Sequence, residues 1–320
     1  MKKRVYSSVL VVLTLALLFV LKVFVSDYFF DVFFCLLACY GAFEMSKLLS
    51  KIGFYNFLYI STLFPVFLTG MNILGVHLAS TKGYIWILYT ILFDLAIILF
   101  GFIVSFMACI CRKKQYILHE MGVRNIDNMS IFKFSFKKAI NTAISFVYPA
   151  FIFLLFIFVN HMNSLPFSKF ETVTSNVSFF ALITAFMIPI LTDTFAMLTG
   201  SVIGGKKLCP KISPNKTISG AVGGVLWSVL FAACVYLIFG SIVSFESLMA
   251  VLPIWGYLLI VLFGSVISQC GDLFESIIKR RAGVSDSGKF LPGHGGLLDR
   301  IDSHIFMAPY IFLIFMIVLI

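Results

Sequence analysis

YIWILYTILFDLAIILFGFIVSFMACI, residues 84–110, carries a single charged side chain, Asp94, in a run long enough to cross a bilayer. A hydrocarbon core of ~30 Å takes about 20 apolar residues as a helix. Helical coiling is required there because lipid offers no partner for backbone N–H and C=O groups. Outward from this run, eight others of the same character lie at roughly 6–25, 29–46, 54–79, 139–160, 177–199, 218–243, 248–270 and 304–320. The chain has 320 residues, 61% hydrophobic and 12% charged, with mean hydropathy +1.05. A soluble domain cannot hide that much apolar surface. The expected fold is therefore all-α: a polytopic integral membrane protein with about nine transmembrane helices. Met1 to Val25 reads as a basic flank followed by a first span that stays in the protein.

Charge placement fixes the orientation. Nine spans threaded from a cytoplasmic N-terminus put 1–5, 47–53, 111–138, 200–217 and 271–303 inside. Those segments hold 21 of the 24 basic residues, leaving only Lys22, Lys82 and Lys169 elsewhere. The same asymmetry accounts for the net charge of +10 without nucleic acid. Cys35, Cys39, Cys109, Cys111, Cys209, Cys234 and Cys270 fall mostly in or beside apolar runs and form no CxxC pair, so they read as small packing residues. Two regions follow: an N-terminal transmembrane region, 1–138, and a C-terminal transmembrane region, 139–320, that carries the chemistry. The first ends in a basic loop with Arg112, Lys113, Lys114, Arg124, Lys133, Lys137 and Lys138 and the amphipathic-looking stretch IFKFSFKKAI. That loop reads as a lipid-facing surface segment, or more sharply as a patch that attracts anionic lipid.

Two inside segments hold most of the polar signal. In 191–220, Asp193 sits near the end of the sixth span, where a carboxylate is costly unless it faces a cavity or partner. Gly200, Gly204 and Gly205 permit tight turns. Ser213, Pro214, Lys216 and Thr217 then precede the seventh span. Hydroxyls, a Lys and free amides at a helix N-terminus favour phosphate. A plain turn and N-cap beside a topogenic Lys fits equally well. In 271–303, Asp272, Glu275, Asp286, Asp299 and Asp302 are five of the chain's 14 acids, set among Lys279, Arg280, Arg281, Lys289 and Arg300. If 271–281 continues the eighth span as a helix, Asp272, Glu275 and Lys279 share one face, and Asp299 and Asp302 pair at the start of the ninth. The turn PGHGG, with His294 among glycines, can bring these helix ends together. Carboxylates so placed form a candidate divalent metal site; mutual salt bridging with the neighbouring cations is the alternative. His294 reads as a general base or as a hydrogen-bonding member of the turn.

At these residues the chain resembles the phosphatidate cytidylyltransferases (CDP-diacylglycerol synthases). Their C-terminal signature is met in register by Ser276, Lys279, Arg280, Asp286, Gly288, Leu291, Pro292, Gly293, His294, Gly295, Gly296, Asp299, Arg300 and Asp302. An upstream block is met by Asp193, Ala196, Gly200, Gly204, Lys207, Leu208, Pro210, Ser213, Pro214, Lys216, Thr217 and Gly220. The likeness covers 191–303; the N-terminal half matches only in hydropathy. Ser285 stands where the family has Lys and Ser219 where it has Glu, while Met197, Ser201 and Gly205 replace its Tyr, Arg and second Lys.

The resemblance implies transfer of the cytidylyl group from CTP to phosphatidate, giving CDP-diacylglycerol and pyrophosphate. It implies Mg²⁺ held by Asp272, Asp299 and Asp302, with a second, monovalent cation left open. The catalytic set implied is Asp272, Lys279, Arg280, Asp286, His294, Asp299, Arg300 and Asp302, with Asp193, Ser213, Lys216, Thr217 and Ser276 binding substrate. A homodimer in a bacterial inner membrane, its site open to the cytoplasm and to membrane lipids, completes the expectation. The rival readings are a CTP-dependent lipid kinase, a membrane transporter and a catalytically weak relative.

Overall fold

The structure, a computed structural model, describes residues 2–52, 56–111, 128–165, 176–242, 245–288, 290 and 295–319; of 2–12, 128 and 129 it describes the backbone alone. Its helices are α1 (Lys2–Phe24), α2 (Tyr28–Lys51), α3 (Leu58–Lys82), α4 (Ile85–Ile110), α5 (Asn128–Ser145), α6 (Val177–Ile203), α7 (Ile218–Gly240), α8 (Ile254–Arg281) and α9 (Leu298–Leu319). Between α6 and α7 lies an antiparallel hairpin, β1 (Lys207–Cys209) and β2 (Ser213–Thr217). Among the described residues, eight helices are long and apolar enough to cross a membrane, and α1 adds the shorter apolar stretch Leu13–Phe24. The chain is an all-α integral membrane protein; the hairpin is a small addition that hydropathy did not signal.

Several helices outrun their apolar runs. α2 reaches Lys51, α6 Ile203 and α8 Arg281, while α9 begins at Leu298 rather than near 304. Hydropathy falls where charges enter, but an established helix adds a hydrogen bond with each residue, and Lys, Arg and Glu are good helix formers. The segment read as the surface loop 111–138 also divides differently. Residues 112–127 lie outside the described residues, and the next ones open α5, with Phe134, Ser135 and Lys138 buried.

α5 continues past Ser145 through a π-helical turn, Phe146–Phe151, to Asn160. Tyr148 is non-helical there (φ −118°, ψ 120°), beside Pro149. The span Ser130–Asn160 is the most enclosed of those described. Its rings join helices from the two halves of the chain: Phe156 stacks on Phe34 of α2 at 5.2 Å and on Phe186 of α6 at 5.5 Å. One apolar core runs from Leu18 to Leu319. The sequence boundary at 138/139 falls inside α5.

α6 and α7 pack closely because their contact is lined by small residues. A Cβ on Gly224 would stand 2.6 Å from the Thr192 carbonyl, and one on Gly220 2.6 Å from that of Ala196. At the opposite end from this packing, Asp31 of α2 binds His161 Nε2 at 2.7 Å and Asn160 Nδ2 at 2.9 Å. Lys22 pairs with Asp27 and donates to the Asn160 carbonyl at 2.9 Å. This Lys on the sparsely charged side is thus neutralised locally.

Candidate active site

The site begins where α6 stops. Gly204 and Gly205 take positive φ (+65° and +98°), which a side chain disfavours, and so turn the chain off the helix. Gly200, expected in a turn, is still helical and packs against Thr217 and Gly220. The hairpin then pairs Lys207 with Thr217 and Cys209 with Ser213. Thr217 caps α7, its hydroxyl accepting from the Gly220 N–H at 3.1 Å. Ser219 donates its hydroxyl to the Gly204 carbonyl, closing the turn. The hairpin delivers Lys216 to α8, where its ammonium pairs with Asp272.

α8 supplies the second wall. As the helical spacing predicts, Asp272, Glu275 and Lys279 lie along one side. Lys279 Nζ donates to Glu275 Oε2 and to Asp299 Oδ1 of α9, both at 2.7 Å. Glu275 is 0% exposed and Lys279 8%. Asp299 also accepts the backbone N–H of Ser287 at 2.9 Å and of Gly296 at 2.7 Å. One carboxylate therefore gathers α8, the following loop and the start of α9. Asp302, one turn on, is buried and accepts the Ser303 N–H at 2.6 Å.

These groups surround a cavity of about 700 Å³ lined by Asp193, Lys216, Thr217, Asp272, Lys279, Asp286, Asp299, Arg300 and Asp302. Small-molecule sites commonly span roughly 300–1,000 Å³. Lys207, Asn215 and Gln269 line it too. The last was readable: it stands one turn before Asp272 on the same helix, but hydropathy placed it inside the membrane.

Other expected site residues stand elsewhere. Arg280 is exposed and donates to the carbonyls of Ile212 (2.9 Å) and Val284 (3.1 Å), bracing the hairpin. Ser213 and Ser276 are outside the cavity lining, although the Ser276 hydroxyl is 3.4 Å from Asp272 Oδ1. His294 lies outside the described residues. Ser285, in place of the family's Lys, donates to Asp286 at 2.8 Å. Glu44 of α2 was missed altogether: it accepts from Ser287 Oγ at 3.0 Å and from the Leu298 N–H at 2.7 Å.

The carboxylates can be tested against the magnesium that the resemblance implies. Among the described residues no three His, Cys, Asp or Glu side chains converge to hold a metal ion. Asp272 and Asp299 are instead engaged by Lys216 and Lys279. In donor type they do fit: Asp272, Asp299 and Asp302 line one cavity and offer the hard oxygens that Mg²⁺ takes. Buried Glu275 adds Oε1, which has no hydrogen-bond partner among the described residues.

Comparison with known proteins gives a consistent answer. The family model described as "Cytidylyltransferase family" matches residues 2–318. A phosphatidate cytidylyltransferase of Staphylococcus haemolyticus is 49% identical over 125 residues, 39% of this chain and 45% of that protein. One from Bacillus subtilis is 45% identical over 123 residues, 38% of this chain and 42% of its own length. One from Staphylococcus aureus is 47% identical over 126 residues, 39% of this chain and 45% of that protein. The matches span less than half the length of these curated relatives.

Proposed function

Because the chain belongs to the cytidylyltransferase family, we propose that it is an enzyme that transfers the cytidylyl group of CTP to phosphatidate, releasing pyrophosphate and leaving CDP-diacylglycerol in the membrane. The observation that carries the reading is the cavity between α6, α7, α8 and α9, where cations and carboxylates meet at the ends of membrane-length helices. A substrate pair made of a soluble nucleotide and a lipid would need a site reached from both water and bilayer, and a cavity at these helix ends would suit it. The concentration of 21 of 24 basic residues on one side favours the cytoplasmic face of a bacterial inner membrane.

The chemistry asks little proton transfer of the protein. A phosphatidate oxygen attacks the α-phosphorus of CTP, the bond to the bridging oxygen breaks, and pyrophosphate leaves with that electron pair. The nucleophile is already anionic, so the difficulty is to hold two polyanions together in line. Lys216 and Arg300, both on the cavity wall, would bind phosphate oxygens. Lys279 would keep Glu275 and Asp299 in place while its charge offsets theirs. Thr217, at the N-terminus of α7, would present that helix end to an anion. Magnesium belongs to the proposal: Asp272, Asp299 and Asp302 would hold it, and it would offset charge on the phosphates. A monovalent companion ion and a homodimer remain part of the same proposal.

Pyrophosphate release by purified protein in detergent tests the reading. Release is expected only with CTP and phosphatidate together. It should stop with EDTA, return with Mg²⁺, and fall at least about 100-fold in Asp299→Ala. Release by Asp299→Ala at the native rate would remove the site assignment. No release from folded native protein would remove the activity.

A further inference from the structure

We propose that Glu44, on a helix of the N-terminal half, is a positioning residue for this site: acting through Ser287, it sets where Asp299 stands. The proposal rests on the cytidylyltransferase reading for its kinetic consequence, though not for its geometry.

Glu44 is 2% exposed near the end of α2. Its Oε2 accepts two hydrogen bonds, from Ser287 Oγ at 3.0 Å and from the Leu298 N–H at 2.7 Å. Both donors matter to Asp299. The Ser287 backbone N–H donates to Asp299 Oδ2 at 2.9 Å, so one residue is held by Glu44 through its side chain and holds Asp299 through its main chain. Leu298 is the first residue of α9, so its N–H has no acceptor within that helix. Glu44 thus caps α9 from another helix, and a carboxylate is the favoured group at a helix N-terminus.

Packing leaves this carboxylate little freedom. A Cβ on Gly296 would come within 2.6 Å of Glu44 Oε2, and one on Gly288 would run into Oε1. Two glycines of the loop therefore lie directly against it. One turn back on α2, Gly41 allows the close approach: a Cβ there would sit 3.0 Å from Pro149 Cγ and 3.4 Å from Ile301 Cδ1. The geometry is a strut from α2 to Ser287 and to the first residue of α9. A merely structural role would make Glu44 matter to folding and leave turnover per folded molecule unchanged.

The test compares Glu44→Ala, Glu44→Gln and Ser287→Ala with native protein. Glu44→Ala should lower kcat about 10–100-fold while KM for CTP moves less than about threefold, because placement rather than binding is lost. Glu44→Gln keeps one acceptor oxygen and should recover kcat to within about fivefold of native. Ser287→Ala should lower kcat as well, and its effect should not add to that of Glu44→Ala, since both break one connection. Should Glu44→Ala fail to fold, Ser287→Ala decides alone. Native kcat in folded Glu44→Ala, or in Ser287→Ala, overturns the proposal. Amide hydrogen exchange supplies a readout independent of activity. Glu44→Ala should speed exchange at Ser287, Leu298 and Asp299 and leave α7 as it was. If native protein proves inert, the enzymatic reading fails and exchange still decides this one: unchanged protection at Ser287 and Leu298 overturns it, and lost protection supports it.

Discussion

Lys279 donates to two carboxylates on different helices, Glu275 Oε2 and Asp299 Oδ1, each at 2.7 Å. Removing it leaves two acids facing one another with little water, and breaking a buried pair commonly costs about 3–5 kcal/mol. Lys279→Ala should therefore lose turnover by at least about 100-fold and also melt lower in detergent, whereas a residue that only touches substrate would leave the melting point alone. Thr217→Ala should cost about 1 kcal/mol through its lost cap, with Thr217→Ser near native, as checked by thermal unfolding. At this scale the sequence was informative where chemistry repeats at helical spacing. Asp272, Glu275 and Lys279 could be placed on one face because α8 does continue. The neighbouring Arg280 is one residue round the helix and points to the hairpin, which charge type alone does not disclose. Glu44 had no local pattern at all, since its partner Ser287 is 243 positions away.

Glycines decide how the elements meet. Gly224 lies where α6 and α7 touch, and a Cβ there would also reach Ala196 Cβ at 3.0 Å. Gly224→Ala should push the helices apart and cost about 1–3 kcal/mol, with activity falling because Asp193 lies on α6 and Thr217 caps α7. Gly240→Ala, at the far end of α7 with nothing among the described residues within 4 Å of the added Cβ, should be neutral or slightly stabilising. Comparing the two melting points separates close approach from helix propensity. The hairpin escaped the sequence because its strands have three and five residues and include Pro214, Asn215 and Lys216, which carry almost no strand signal. Gly204 and Gly205 were legible as turn formers, while the packing role of Gly200 needed its neighbour α7.

Across the whole molecule, one large apolar core draws on helices from both halves of the chain. Phe34, Phe156 and Phe186 stack through the middle and tie α2 and α6 to the broken span after α5. Phe156→Ala should cost about 3–5 kcal/mol, seen as a lower unfolding midpoint, because its ring is 0% exposed between two others. The all-α, membrane-spanning architecture was readable because lipid imposes a length rule that needs no tertiary knowledge. The joining of the halves was not, since apolar runs look alike whether they face lipid or protein. The most direct measurement follows label from CTP into lipid, using purified protein, phosphatidate and CTP labelled at the α- or the γ-phosphate. The account expects α-label in a lipid product, no γ-label there, and neither with Asp299→Ala. γ-Label in the lipid, or no label from active preparations, would contradict it.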